Sequence, residues 1–218
     1  MKNFLNPNWL SKAVVNTFSP GPYICYACQN EARLNEHGLC ADCQQQILLC
    51  PHPTWLPPLD GLFIGVQYTE PIKNAVLRLK SGHDFSYVPF LAQYMEIPDE
   101  WSVDLLVPIP IHPIHEWLRG FNQSELLTQY LSSRYRIPYS NELLLKKKFT
   151  RQQKRLTADA RRKNVRNSFY AEPECKGLHI VLVDDVFTTG ATMYECAKVL
   201  KKAGAARVYG CCVASPKA

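Results

Sequence analysis

Apolar runs and amphipathic segments alternate along the chain from residue 60 to its end. Short apolar or β-branched runs predict strands at residues 62–68, 103–109, 142–145, 179–183 and 207–214. Helical periodicity and capping residues predict helices at residues 69–80, 122–135 and 192–203, with another ending near residue 94. Because parallel strands need long crossover connections, usually helices, this alternation predicts an α/β domain built on a parallel sheet.

The first 58 residues show a different pattern. Residues 1–20 have a weak helical periodicity, whereas residues 21–58 have almost none and contain five of the nine cysteines. Four prolines between residues 51 and 58 then indicate a linker. We therefore expect two domains, an N-terminal helix with a cysteine-rich head at residues 1–58 and the α/β domain at residues 59–218.

The composition excludes several classes of protein. The chain has 218 residues, of which 46% are hydrophobic and 20% charged, proportions that are usual in globular proteins. It contains no apolar run long enough for a transmembrane helix, so we expect no membrane insertion. The N-terminus lacks the unbroken apolar core of a secretory signal, which predicts a cytoplasmic protein. In that compartment nine cysteines indicate metal binding rather than disulfides.

Four cysteines occur in two matched pairs, Cys25-x-x-Cys28 and Cys40-x-x-Cys43. Two such pairs can place four thiolates around one tetrahedral Zn²⁺. A stretch this short cannot bury a core of its own, so a structural zinc would replace one. The alternative is a set of four free, buried thiols. Cys50 is a spare thiol, and we expect the four later cysteines to be core residues.

The segment from residue 179 to residue 192 carries the strongest chemical signal. A buried strand ends in two adjacent carboxylates, Asp184 and Asp185, and a loop rich in threonine and glycine leads into a helix. The start of a helix favours a phosphate, and Gly190 lets the backbone approach it closely. The acids suit ribose hydroxyls, a hydrated Mg²⁺ or both. The segment therefore predicts a sugar-phosphate site rather than an ordinary strand end.

The positive charge of the chain is concentrated. The formal net charge is +6, and residues 146–155 carry many basic side chains and no acid. Such a run is either a solvated surface loop or an anion site for phosphates or nucleic acid. Composition alone does not show whether the anion bound there would be a phosphorylated metabolite or a nucleic-acid backbone.

Several motifs resemble known families. The stretch VLVDDVFTTGATM closely resembles the phosphoribosyl pyrophosphate (PRPP) signature of type I phosphoribosyltransferases. Residues 107–110 (VPIP), followed by residues 119–124 (RGFNQS), are similar to the hallmark of the ComF family of competence proteins. The resemblance covers essentially the whole chain. It implies a parallel-sheet, type I phosphoribosyltransferase-like domain with a small N-terminal zinc-binding domain that uses four cysteines.

The resemblance also implies roles for individual residues. Asp184 and Asp185 would be the catalytic acids that meet the ribose hydroxyls of PRPP, with Mg²⁺. Residues 188–192 would wrap the 5′-phosphate: Thr188, Thr189, Gly190, Ala191 and Thr192. A loop from the strand at 104–109 to Arg119 and Gly120 would grip the pyrophosphate. Lys80 is a weaker candidate for binding the pyrophosphate. Arg151 lies in the basic stretch, which matches the mobile loop, or hood, that closes over PRPP in the phosphoribosyltransferase superfamily. The alternatives are a surface ion pair for Arg119 and a merely solvated basic loop.

The implied function is natural transformation. The family handles internalised single-stranded DNA, and the resemblance implies phosphoribosyl transfer to an unknown acceptor, with single-stranded DNA and a competence helicase as partners. One alternative is a non-catalytic, PRPP-sensing DNA-binding or helicase adaptor. Another is nucleobase salvage, against which the cysteine head and the RGFNQ segment argue. The residues between the two ComF motifs, 111–118, are less basic than the family's usual pattern.

Overall fold

The computed structural model describes residues 24–50, 56–82, 84–147 and 167–216. Its helices and strands, in chain order, are α1 (Ala41–Gln45), β1 (Gly61–Gln67), α2 (Glu70–Gly82), α3 (Tyr87–Ala92), β2 (Leu105–Pro108), α4 (Pro113–Arg119), α5 (Gln123–Tyr135), β3 (Leu144–Lys146), β4 (Phe169–Ala171), β5 (His179–Val186), α6 (Ala191–Lys202) and β6 (Arg207–Ser215).

A four-stranded parallel sheet forms the centre of the molecule, with strand order β1-β6-β5-β2. The side chains of residues 180–183 on β5 are completely buried. Such a continuous apolar run is the pattern of a parallel strand that is covered on both faces. The predicted α/β fold with a parallel sheet is therefore confirmed.

Helices cover both faces of the sheet. The apolar faces of α2, α3 and α5 pack with Val181 and Val183 on one face. Helix α6 and the antiparallel hairpin of β3 and β4 pack with Ile180 and Leu182 on the other. Alternation along β5 thus assigns even-numbered residues to the α6 face and odd-numbered residues to the α2 face.

Short segments pair with both outer strands of the sheet. Residues 48–50 run antiparallel beside β1, and residues 138–140 run parallel beside β2. Pairing of this kind covers exposed strand edges. The segment at 48–50 belongs to the predicted N-terminal domain, so that domain is hydrogen-bonded to the sheet. The domain boundary at residue 58 stays a prediction.

The cysteine-rich head is docked on α3. The ring of Tyr26 stacks on Phe90, with centroids 5.0 Å apart, and meets Tyr87 edge-on at 5.3 Å. The Tyr87 hydroxyl donates to the carbonyl of Tyr26 at 3.0 Å and accepts from the Gln29 amide at 2.6 Å. Buried Ala27 and Leu39 extend the same apolar cluster into the head. The head therefore shares one core with the sheet domain.

Three local expectations are corrected. The segment expected to be a loop up to Arg119 contains helix α4, which Pro113 begins and the side chain of His112 caps. Strand β5 does not end at the acids but continues through them to Val186. Within the described parts of the chain, the hydroxyl of Thr69, expected to cap α2, is buried without a hydrogen-bond partner. The helix expected at residues 1–20 lies outside the described residues.

No helix in the described parts of the chain is both long enough and apolar enough to cross a membrane.

The docking of the head gives a testable pair of variants. Tyr87→Phe removes both hydrogen bonds to the head, so we expect the free energy of unfolding to fall by about 1–3 kcal/mol. Tyr94→Phe removes a neighbouring hydroxyl that is buried without a partner, and we expect it to cost nothing or to stabilise the protein. Urea denaturation of the full chain measures both. Equal losses in the two variants would contradict the docking.

Candidate functional site

Asp184 and Asp185 lie side by side near the carboxyl end of β5, facing opposite sides of the sheet. Odd-numbered Asp185 faces α2 and is 4% exposed. Even-numbered Asp184 faces α6 and pairs in register with Cys212 on β6. Because adjacent residues of a strand alternate, the two carboxylates meet different surroundings even though they are neighbours in sequence.

Lys80, near the end of α2, forms an ion pair with the Asp185 carboxylate. Burial alone would raise the pKa of Asp185, but the ammonium of Lys80 and its hydrogen bond hold that pKa below the ordinary value. Burial likewise opposes the charge of Lys80, and the attraction of Asp185 raises the pKa of Lys80. Both groups are therefore charged, and the pair neutralises one of the two acids.

Among the described residues, Asp184 forms no such ion pair. Burial, followed by the negative charge of Asp185, raises the pKa of Asp184 to about 7. Its Oδ1 accepts from the Ser124 hydroxyl at 2.9 Å and from the backbone N–H of Asp185 at 2.9 Å. Burial and the charge of Asp185 therefore oppose the ionisation of Asp184, whereas Lys80 favours the ionisation of Asp185.

The RGFNQS segment, residues 119–124, connects α4 to α5 and supports both acids. Gly120 ends α4 in the left-handed conformation, with φ of 82°. The Asn122 side chain caps α5 through the N–H of Ser124, and its amide donates to the carbonyl of Ile109 at 3.1 Å. Ser124 then bonds Asp184, and Gln123 hydrogen-bonds Asp185. The cap thus fixes two side chains of the first helical turn against the acid pair.

Arg119 belongs to the same network. Its guanidinium donates to the Gln123 side chain at 2.5 Å, and Gln123 in turn bonds Asp185. Arg119 is therefore linked to the acids through one amide. Its predicted contact with pyrophosphate stays a prediction.

The loop between β5 and α6 has the geometry of an anion cradle. Gly190 precedes α6 with φ of 71°, and a Cβ there would lie 2.5 Å from the Phe187 ring, so both conformation and space require glycine. No side chain caps α6. The Ala191 N–H points back to the Thr189 hydroxyl at 3.4 Å. Thr188 and Thr192 flank this turn, so all five predicted phosphate residues lie together.

The four cysteines of the head converge. The sulfurs of Cys25, Cys28, Cys40 and Cys43 all lie within 4.8 Å of one another. A tetrahedral zinc with Zn–S bonds of about 2.3 Å needs sulfurs about 3.8 Å apart, and the Cys28–Cys40 separation is 3.9 Å. Burial opposes the thiolate of Cys25, but backbone N–H groups lower its pKa to about 7. The group can therefore hold a metal ion such as zinc.

Comparisons with known proteins agree with this geometry. Residues 138–218 match the phosphoribosyl transferase domain family. Competence protein F of Haemophilus influenzae is 30% identical over 213 residues, which cover 83% of this chain and 91% of that protein. The chain belongs to the ComF family of competence proteins.

Two further relatives support the ComF assignment. DNA utilization protein YhgH of Salmonella typhimurium is 30% identical, with 88% of this chain and 96% of that protein covered. Competence protein ComFC of Bacillus subtilis is 28% identical, and the match covers 86% of this chain and 81% of that protein. In this ComF chain the described site residues gather at one end of the sheet, while Arg151 lies outside the described residues.

Sequence reasoning did not assign three residues that the structure brings to the acids. Gln123 and Ser124 bond the two carboxylates, although the ComF motif that contains them was recognised. Lys146 on β3 interacts electrostatically with Asp184, and burial lowers the pKa of this lysine. The capping signal at Asn122 could have indicated that the first turn of α5 faces the site.

Proposed function

We propose that this protein binds PRPP with Mg²⁺ at the carboxyl end of its sheet, in the cytoplasm, and acts in the handling of internalised single-stranded DNA. One observation carries the binding proposal. Two adjacent acids, Asp185 buried and Asp184 partly buried, have pKa values shifted in opposite directions and lie near a glycine-dependent turn at the start of α6, whose cap residue supplies no side chain. The DNA role, with single-stranded DNA and a competence helicase as partners, rests on the names of its relatives, which include competence and DNA utilization proteins.

The chain's own residues explain how such a ligand would be held. The N-terminal N–H groups of α6 and the threonine hydroxyls would bind the 5′-phosphate. The ionised Asp185 and the Asp184 carboxyl would accept hydrogen bonds from the ribose hydroxyls. Two carboxylates also provide the oxygen ligands that Mg²⁺ prefers, and that ion, when bound, would neutralise charge on the pyrophosphate. Lys80 and Arg119 are the candidate cations for the leaving pyrophosphate.

The proposed reaction is displacement at the anomeric carbon of the ribose. The pyrophosphate leaves as a nitrogen nucleophile bonds to that carbon. The protein would contribute position and charge stabilisation rather than a covalent nucleophile. Phosphoribosyl transfer is therefore the activity that we propose for the site.

A non-catalytic PRPP sensor that binds DNA or a helicase is the second candidate. Helix α4 favours it, because this helix carries Glu116 and the exposed side chains of Ile114, Trp117 and Leu118 where the ComF pattern is basic. A surface of that kind fits a protein partner better than a pyrophosphate. Pyrophosphate release by the full chain would decide between the two candidates.

The double variant Asp184→Asn, Asp185→Asn tests PRPP binding. We expect calorimetry to show Mg²⁺-dependent PRPP binding by the full chain and at least a hundredfold weaker binding by the variant. Each lost charged hydrogen bond costs about 1.5–3 kcal/mol, or roughly tenfold or more in affinity. In cells the same variant should lose DNA uptake.

The matched control removes two negative charges from neighbouring residues on the surface instead of from the acid pair. Asp99 and Glu100 are adjacent and exposed, so Asp99→Asn with Glu100→Gln should bind PRPP as the wild type does. Undiminished PRPP affinity in the Asp184–Asp185 variant would refute the proposed site.

We also propose that the four head cysteines hold one structural zinc ion. Four thiolate ligands close the coordination sphere, so the metal would stabilise the head and leave no position for substrate. The head shares its core with α3. Loss of the metal should therefore weaken the sheet domain as well as the head.

Elemental analysis of the purified chain tests the zinc site. We expect one zinc per chain, and Cys43→Ser should lower both the zinc content and the melting temperature. Cys50→Ser is the control, since Cys50 lies outside the converging group, and it should keep the metal. A metal-free chain with an unchanged melting temperature would contradict the proposal.

A further inference from the structure

Helix α4 presents a group of large apolar side chains to solvent. Ile114, Trp117 and Leu118 have the spacing of one face of a helix, and Trp117 is 82% and Leu118 68% exposed. These three residues form the α4 stripe. Single exposed apolar residues are common on protein surfaces, but a contiguous group of them marks an interaction site. The α4 stripe therefore calls for a partner surface.

The α4 stripe is too small for a stable contact with a separate protein. Helix α4 has seven residues, whereas stable interfaces between proteins use about 20–30 residues on each side. A separate partner would therefore need contacts well beyond this helix. A segment of the same chain needs far fewer, because a short linker keeps it at an effective concentration on the order of millimolar.

The N-terminal segment, residues 1–23, is such a tethered segment and lies outside the described residues. In its sequence Asn6 and Pro7 are typical of a helix start, and Pro20 and Gly21 are typical of a stop. Between them, five apolar residues come near helical spacing: Trp9, Leu10, Ala13, Val14 and Phe18. A helix this short is marginal in water unless its apolar side packs on another surface.

Two ring contacts connect the start of the described chain with α4. The ring of Tyr26 meets Tyr87 edge-on, with centroids 5.3 Å apart. Phe85, two residues before Tyr87, meets Phe121 edge-on at 5.2 Å, and Phe121 follows the end of α4. Because an extended chain spans about 3.5 Å per residue, the linker from residue 18 to the first described residue bridges roughly 20 Å. The linker and the helix before it can therefore reach α4.

Charge favours the same pairing. The N-terminal segment contains Lys2 and Lys12 and no acidic residue. Glu116 is exposed on α4. Burial, followed by the charge of Glu116, raises the pKa of Glu125, so the two carboxyl groups repel each other. A lysine docked beside Glu116 would offset this repulsion.

We propose that residues 7–18 form a helix that packs its apolar side on the α4 stripe of the same chain. The occupant of the stripe is thus the chain's own N-terminal segment rather than a separate protein or a second copy. Arg119 and Gly120 end α4, and the cap of α5 at Asn122 follows directly. Docking would therefore steady the helix that leads into the contacts at the acids. The inference requires neither PRPP binding nor DNA binding.

Photo-crosslinking of the full chain tests the contact. The variant Trp117→p-benzoylphenylalanine places a photoreactive ring on the α4 stripe, and mass spectrometry identifies the peptides that it captures. We expect the main cross-link to join position 117 to residues 7–18. Tyr194→p-benzoylphenylalanine is the matched control, since Tyr194 is an exposed aromatic residue on α6, on the other face of the sheet. The control should not capture residues 7–18.

Isotope mixing separates docking within one chain from docking between two copies. Chains labelled with ¹⁵N and unlabelled chains, both carrying the photoreactive residue at position 117, are mixed before irradiation. We expect each cross-linked pair of peptides to carry a single isotope composition. Pairs that combine labelled and unlabelled peptides would assign the α4 stripe to a second copy and overturn the inference.

Amide hydrogen exchange tests whether docking holds α4. In Trp9→Ser the N-terminal segment loses its largest apolar side chain, so we expect the amides of residues 114–119 to exchange at least tenfold faster. Asn8→Ser is the matched control, because Asn8 lies on the opposite side of the predicted helix, and it should leave that exchange unchanged. Unchanged slow exchange of the buried strand β5 in both variants would show that they are folded.

Other results would also overturn the inference. These are no cross-link from position 117 to residues 7–18, equal capture of those residues from position 194, or a main cross-link from position 117 to another part of the chain. Exchange of the α4 amides at the wild-type rate in Trp9→Ser would overturn it as well, because a docked segment must slow the opening of the helix that it covers.

Discussion

Two adjacent carboxylates near the carboxyl end of one strand, Asp185 buried and Asp184 partly buried, are the constraint on which the rest of the site depends. Removing an ionised carboxylate from water is costly unless a cation or hydrogen-bond donors compensate it. Because adjacent residues of a strand point to opposite faces of the sheet, different side chains must offset the cost of burying each of the two carboxylates. On the α2 face the ammonium of Lys80 neutralises Asp185. Asp184 accepts a hydrogen bond from the Ser124 hydroxyl at the start of α5 and forms no ion pair with any described residue, and burial followed by the charge of Asp185 raises its pKa to about 7.

The RGFNQS segment follows from this constraint. Its arginine, asparagine, glutamine and serine form one chain of contacts from the end of α4 to the acids, and its glycine makes the turn between the helices possible. The segment thus positions the acids.

Local signals in the sequence predicted the parallel sheet and the strand, turn and helix that carry Asp184, Asp185 and Gly190, because strand runs and glycine turns are properties of neighbouring residues. The contacts that tune the acids join residues far apart in the chain, such as Lys80 with Asp185, and no local pattern encodes them. Helix α4 was missed because prolines surround it, although proline is well tolerated in a first turn. Strand β4 has only three residues and depends on pairing with β3.

The unequal ionisation of the acid pair is the central claim of this account. A ¹³C NMR titration of the aspartate carboxyls measures it most directly, with Asp184→Asn and Asp185→Asn used to assign the two resonances. We expect Asp184 to titrate with a pKa of about 7, because burial and Asp185 oppose its charge, and Asp185 to titrate below the ordinary aspartate value. Two carboxyls that both titrate near the ordinary value of about 3.9 would contradict the account.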